Sequence, residues 1–309
     1  MKTNARGAMI GWGAAGLVLW GLASSVAAGP ARVLAVRSKD LPAYNEAVEG
    51  FRRTISGRIP GATVESVTLP DDPAAARSLL DNISRNPPDI VLAVGGPAAR
   101  QAREAIRSAP VIFCMAMAEE ADFTYGGALV DLPLAEYLNQ IRRDLPGVKN
   151  IGFIYNPSSS SIIVRQAQAL EAKGALIAFP ANSPADVDRI IFSFRQKADC
   201  LLLWPDPTLF PANALSFFLK DTFDKNIPVV GVSPFFVKAG AVAAFFPDYG
   251  HNGEMAAAMA LKVLAGQPIE KLPVQTPSKV RAGFNLSIAR HLNVALNDDA
   301  VASAADVVR

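Results

Sequence analysis

The sequence predicts an α/β protein built as two similar lobes, each a doubly wound parallel sheet. Short apolar runs of strand length alternate with segments of helical period, which is the pattern of βαβ units and parallel sheets. The whole series also runs twice. The chain has 309 residues, half of them apolar, enough for two medium cores.

In order, "ARVLAVRS" (31–38) reads as the first strand, and the helix after it places Tyr44, Ala47, Val48, Phe51 and Ile55 on one face. "ATVESVTL" (62–69) is the second strand and leads into the helix "DPAAARSLLDNIS". "DIVLAV" (89–94) runs into Gly95-Gly96-Pro97 and the helix "AARQAREAIR". "PVIFCM" (110–115) follows, with "GGALV" (126–130) as a short edge strand. The second series opens with "NIGFIY" (150–155), which breaks at Asn156-Pro157 and four serines before the helix "IIVRQAQALEAKG". "ALIAFP" (175–180) precedes a helix whose Ser183 and Asp186 form a Ser-x-x-Asp start. "DCLLLW" (199–204), "IPVVGV" (227–232) and "AVAAFF" (241–246) complete it. The remainder carries a helix from Gly250, an extended piece "KLPVQTPSKVRAGFN" and a short helix "LSIARHLN". Residues 297–309 are small and acidic, and a loosely ordered tail is expected there.

The first 28 residues differ from the rest. Lys2 and Arg6 precede an uncharged run to Ser25 and the small residues Val26-Ala27-Ala28, the pattern of a cleaved secretory signal. An uncleaved membrane anchor is the other reading, because Ala8 to Ala23 with its flanks approaches the roughly 20 residues that span a bilayer. No Cys lies near the cleavage site, which argues against a lipoprotein. Loss of this segment leaves 28 basic against 28 acidic residues. A neutral chain lacks the electrostatic footprint of a nucleic-acid binder. Cys114 and Cys200 sit in separate apolar runs, so two buried thiols are expected rather than a disulfide.

Catalytic machinery is sparse. His251 and His291 have no Cys or second His at metal spacing. "GVSPF" around Ser233 starts like a nucleophile elbow, but Phe235 stands where the second Gly belongs. No metal and no cofactor are expected. "AVGGPAARQ" is neither a dinucleotide fingerprint nor a P-loop. It is open to two readings, a tight turn or a helix N-terminus whose N–H groups hold an anion. Ser158, Ser159, Ser160 and Ser161 open a helix, so one should cap it while the others are either free hydroxyls facing a polar ligand or a solvated loop. Ligands of open α/β sheets bind at the carboxyl ends of strands. Tyr44, Trp204, Phe235 and Phe236 all fall near such ends, with Arg37, Ser38, Asp40, Asp206 and Thr208 as polar neighbours.

These stretches resemble a family. "RSKDLPAYNEAVEGF", "DIVLAVGGPAA", "IGFIYNPSSSS", "CLLLWPDPTLF" and "VKAGAVAAFFPDYGHNG" are similar to the substrate-binding proteins of ABC transporters. The group resembled is that with the type I periplasmic binding fold, including tryptophan- and aromatic-amino-acid-binding members. The resemblance implies a three-stranded hinge and a ligand clamped between lobes, with lobe 1 at 31–130 and 247–270 and lobe 2 at 131–246 and 271–296. It implies ligand-facing positions at Arg37, Ser38, Asp40, Tyr44, Gly95, Gly96, Pro97, Ala98, Met115 and Met117 in lobe 1. In lobe 2 and the hinge it implies Ser158 to Ser161, Trp204, Asp206, Thr208, Ser233, Phe235, Phe236 and Asp248. Two loops depart from the family's pattern. Serines replace a Glu and an Asn-Ser pair after "IYNP", and "WPDP" stands where relatives show "PTDN".

The function implied is that of a monomeric periplasmic receptor, not an enzyme, which delivers a small, aromatic or amino-acid-like ligand to a membrane permease. A sensory module signalling to a membrane receptor is the alternative, and an exported hydrolase using Ser233 ranks below both. A sugar-responsive repressor shares the lobes but needs a DNA-binding headpiece where this chain carries a signal.

Overall fold

The computed structural model describes residues 30–118, 124–159, 161–211 and 213–309, so the expected signal at 1–28 and Ser160 lie outside the described residues. The first sheet begins with β1 (Arg32–Arg37), α1 (Pro42–Arg58), β2 (Thr63–Thr68) and α2 (Pro73–Arg85). It continues through β3 (Ile90–Val94), α3 (Gly96–Ala105), β4 (Val111–Ala116) and β5 (Gly127–Leu129). Proline at the start of α1, α2 and α3 suits the first helical turn, where its missing N–H has no intrahelical role. The Asp72 carboxylate caps α2 by accepting from Ala75 N at 2.7 Å.

After α4 (Leu134–Asp144) the second sheet is built from β6 (Ile151–Tyr155), α5 (Ile162–Glu171), β7 (Ile177–Pro180) and α6 (Pro184–Ser193). There follow β8 (Cys200–Leu202), α7 (Leu215–Asp224), β9 (Val229–Gly231), α8 (Pro234–Ala239) and β10 (Ala243–Pro247). The chain then returns to the first sheet through α9 (Tyr249–Leu264) and β11 (Val274–Gln275). It crosses a third time to β12 (Val280–Asn285), α10 (Leu286–His291), α11 (Asp298–Ala302) and β13 (Asp306–Val308).

The strand orders are β11-β5-β4-β3-β1-β2 and β13-β12-β10-β9-β8-β6-β7. Within each sheet the first five strands of the series therefore follow one doubly wound pattern, 2-1-3-4-5. All pairings are parallel except β10 with β12. Helices cover both faces, so both faces of each sheet are buried and strands such as β3, "IVLAV", are apolar throughout. Two core clusters flank the first sheet and two the second. Cys114 and Cys200 are free, buried thiols in different sheets, and burial holds the Cys200 thiol up at about 12. Among the described residues no helix is long and apolar enough to cross a membrane.

The helix α9 fixes the return to the first sheet. It lies against α1 with backbone touching backbone. A Cβ on Gly253 would stand 1.8 Å from the Ala47 carbonyl oxygen, and one on Gly50 would stand 2.0 Å from that of Gly250. This approach seats Asn252, fully buried, between two strands of the sheet. Its Oδ1 accepts from Met115 N at 3.1 Å and its Nδ2 donates to Leu129 O at 2.6 Å. Met115, with φ of 57°, is one of few non-glycine residues in the left-handed region, and Asn252 supplies the acceptor its turned N–H needs.

Three expectations are corrected. Residues 297–309 are not a loose tail. Asn297 caps α11, its N–H reaches Asp144 O, and β13 adds to the second sheet beside β12 while Val301 and Ala304 pack on the core. An Asn before two acids in a first turn is a helix start, and its apolar partners come from distant sequence. Residues 271–296 do not all belong to the second lobe, because Val274 and Gln275 pair with β5 in the first sheet. For the same reason 126–130 is not an edge strand.

Replacing Gly253 with Ala should force α9 off α1 and lower stability by about 3 kcal/mol, the upper range for overpacking a tight contact. Urea denaturation followed by circular dichroism measures it, and an unchanged midpoint would contradict the contact. Truncation after Leu296 removes α11 and β13 and should lower the melting temperature by several degrees, read by calorimetry.

Candidate functional site

A 2-1-3-4-5 sheet has a crevice where its strand order reverses, outside the carboxyl ends of its first and third strands. In the second lobe those ends are the loops after β6 and β8, at 156–161 and 203–208. A chain of hydrogen bonds ties them together. Asp206 Oδ1 accepts from Thr208 N at 2.8 Å and Thr208 Oγ1 at 2.6 Å, and Thr208 Oγ1 in turn accepts from Asn156 Nδ2 at 3.1 Å. Asn156 Oδ1 then accepts from Ser158 N at 2.9 Å. Ser159 Oγ accepts from Ser161 N, and Ser161 Oγ caps α5 through Val164 N. Pro205 and Pro207 hold the loop in which Asp206 folds back on Thr208. The result is a concavity of about 1140 Å³, open solvent included, walled by these two loops and by Trp204.

Trp204 separates it from a second, smaller cavity of about 590 Å³, open solvent included, at the hinge. Here the walls come from both lobes. Met117 and Leu129 belong to the first sheet's strand ends, Ile162, Ile163 and Trp204 to the second lobe, and Asp131 and Thr276 to two of the crossing segments. Met117, Ile163 and Trp204 border both cavities. The indole meets Tyr137 edge-on, with ring centroids 6.1 Å apart. Burial first, then the neighbouring Asp131 and Tyr249, push the Tyr137 phenol well above its ordinary range. Asp131 Oδ2 accepts from Ala118 N at 2.6 Å, and Gln166 Oε1 accepts from Leu134 N at 2.7 Å, satisfying the first N–H of α4.

Trp204, Asp206, Thr208, Ser158, Ser159, Ser161 and Met117 are thus brought to one place. The other residues singled out in the sequence lie elsewhere. Arg37 Nη1 donates to Asp40 Oδ1 at 3.0 Å and also bonds Asn45. Its Nε is buried without a hydrogen bond. This group sits at the first lobe's end of the cleft and borders neither cavity. Ser38 Oγ donates to Val94 O and accepts from Ala98 N at 2.9 Å, so it caps α3. The turn at Gly95, Gly96 and Pro97 is therefore filled by the chain itself. Gly95 has φ of 90°, and the Tyr44 hydroxyl stands 2.7 Å from where its Cβ would be.

Three positions are corrected. Met115 is core, held by Asn252. Phe236 is core, 3% exposed and packed against Gly231, because its helix turns that face inward. Asp248 caps α9 by accepting from His251 N at 2.9 Å. It lies in a charged recess with Glu254 and Lys279 rather than beside Trp204. Ser233 precedes α8 without a side-chain cap bond, and Phe235 is 56% exposed. The sequence reading missed Asp131, Gln166, Ile162 and Ile163. Asp131 follows the "GGALV" strand and obeys the same strand-end rule as the residues chosen.

Across the hinge, Arg281 Nη1 on β12 meets Glu46 Oε1 on α1 at 2.5 Å, a half-exposed ion pair joining the lobes.

The architecture is shared with solved structures. A ligand-free, open substrate-binding protein with adhesive properties from Clostridium difficile superposes with a TM-score of 0.75 at 18% identity, covering 90% of this chain and 99% of that one. An ABC domain from Streptococcus pneumonia in complex with L-Trp gives 0.61 at 19% identity, covering 91% and 100%. In sequence, a tyrosine-binding protein of Clostridioides difficile (strain R20291) is 22% identical over 271 residues, 82% of this chain and 78% of that protein. Residues 62–308 match the family model of the ABC transporter substrate binding protein, and the chain belongs to that family of small-molecule binding proteins, which are not enzymes.

Proposed function

We propose that the protein is the periplasmic receptor of an ABC importer. It acts as a monomer, exported by the segment at 1–28, which closes its lobes on a small ligand with an aromatic or aliphatic body and presents it to a membrane permease. The observation that carries this is the hinge-side cavity, because residues of both lobes and of two crossing segments wall one space around Trp204. Closure by hinge motion buries what sits there, and the crossings at 130–133, 247–249 and 275–280 are the segments that turn. Apolar walls with few polar groups are the composition of small-molecule sites. The names of two relatives, one tyrosine-binding and one holding L-Trp, support a flat aromatic body stacked near Trp204.

The sequence has three tryptophans, Trp12, Trp20 and Trp204, so a chain lacking residues 1–28 reports on the site through a single indole. Titration with aromatic amines, amino acids and acids should give a saturable change in Trp204 emission for at least one of them. Trp204→Leu should weaken that ligand at least tenfold by calorimetry, a loss of about 1.4 kcal/mol. No saturable change with any of them would contradict the assignment.

A further inference from the structure

The two cavities beside Trp204 carry an unusual balance of charge and of hydrogen-bonding groups. Their described walls include two carboxylates, Asp131 and Asp206, and no lysine, arginine or histidine. An amino acid presents a carboxylate, which in a cleft of this kind needs a cation or a set of unengaged N–H groups. Six N–H groups on the surrounding loops, those of Ala118, Leu134, Ser158, Ser161, Val164 and Thr208, are already bonded to the chain's own side-chain oxygens. The described walls therefore carry negative side-chain charge and no cation, with serine and threonine hydroxyls among their neutral groups. Arg37, the cation at the first lobe's end of the cleft, is held by Asp40 and Asn45 away from both cavities.

We propose that the ligand is a cationic amine with an aromatic body and no carboxylate, its ammonium bound by Asp206 and its body against Trp204 in the hinge-side cavity. This rests on the cleft being the ligand site. Asp206 Oδ1 is committed to Thr208, while its Oδ2 has no hydrogen bond among the described residues, and Asp206 borders a concavity that Ser158, Ser159 and Ser161 also line. Trp204 borders both spaces, so an ammonium crossing from one to the other passes the indole, whose π-face attracts cations.

The test is isothermal titration calorimetry of the chain lacking residues 1–28 with tyramine, tyrosine, the neutral alcohol tyrosol and 3-(4-hydroxyphenyl)propionate. Tyramine should bind at least tenfold more tightly than tyrosine or the propionate. Asp206→Asn keeps an oxygen for Thr208 but removes the charge. It should weaken tyramine at least tenfold while leaving tyrosol within threefold, a split that loop disruption would not produce. Tyrosine or the propionate binding as tightly as tyramine, with a dependence on Arg37 shown by Arg37→Ala, would overturn the amine assignment and leave the cleft as the ligand site. Equal loss of tyramine and tyrosol in Asp206→Asn would overturn the ammonium contact. Absence of binding by all four would overturn both the amine assignment and the aromatic reading of the cleft.

Discussion

The contact of α1 with α9 at Gly50, Gly250 and Gly253 is the constraint on which the cleft depends. The chain leaves the second sheet at β10 and must deliver a helix back to the first. Only glycine lets the two backbones approach until a carbonyl oxygen occupies the space of a side chain. That depth carries Asn252 into the sheet, where it holds the ends of β4 and β5 together. From those ends the chain runs on to Met117, Leu129 and Asp131, the first lobe's share of the hinge-side cavity. A helix kept further out by a methyl group would leave Asn252 short of Met115 and Leu129, whose polar groups would then be buried unpaired.

The second lobe solves a similar problem with side chains. Its crevice lies between loops that have little secondary structure, and it is shaped by the Asp206–Thr208–Asn156 bonds rather than by packing. Each of these residues satisfies a neighbour before any ligand arrives, which preorganises the walls and reduces the ordering that binding must accomplish. The same economy explains the chemistry of the cleft. Oxygens that cap helices and loops are turned onto the chain's N–H groups, and no cation stands among the described walls of the cleft beside its carboxylates.

Much of this was legible in the sequence where local periodicity decides structure. The strand and helix runs, the doubling of the series and the strand-end positions of Trp204, Asp206 and the serines all follow from patterns within about 15 residues. What depended on distant partners was not legible. β13 pairs with a strand more than 20 residues away, and its neighbour α11 is anchored on Asp144. Phe235 and Phe236 are adjacent and alike in composition, yet helix phase sends one outward and the other into the core. The Gly95 turn left two readings open, a tight turn or an anion-holding helix N-terminus, until the fold shows that Ser38 occupies it. Asp131 obeyed the strand-end rule but followed a strand only three residues long, a weak signal by itself.

The central claim is that the lobes close around a ligand held beside Trp204. Its most direct test is the distance across the cleft, measured by electron–electron double resonance between spin labels at Lys39 and Phe217, both exposed and on different lobes. Because Cys114 and Cys200 are buried, only the introduced cysteines should react. Saturating ligand should move the distance distribution to a shorter, narrower population. A distribution unchanged by a ligand that calorimetry shows to be bound would contradict closure.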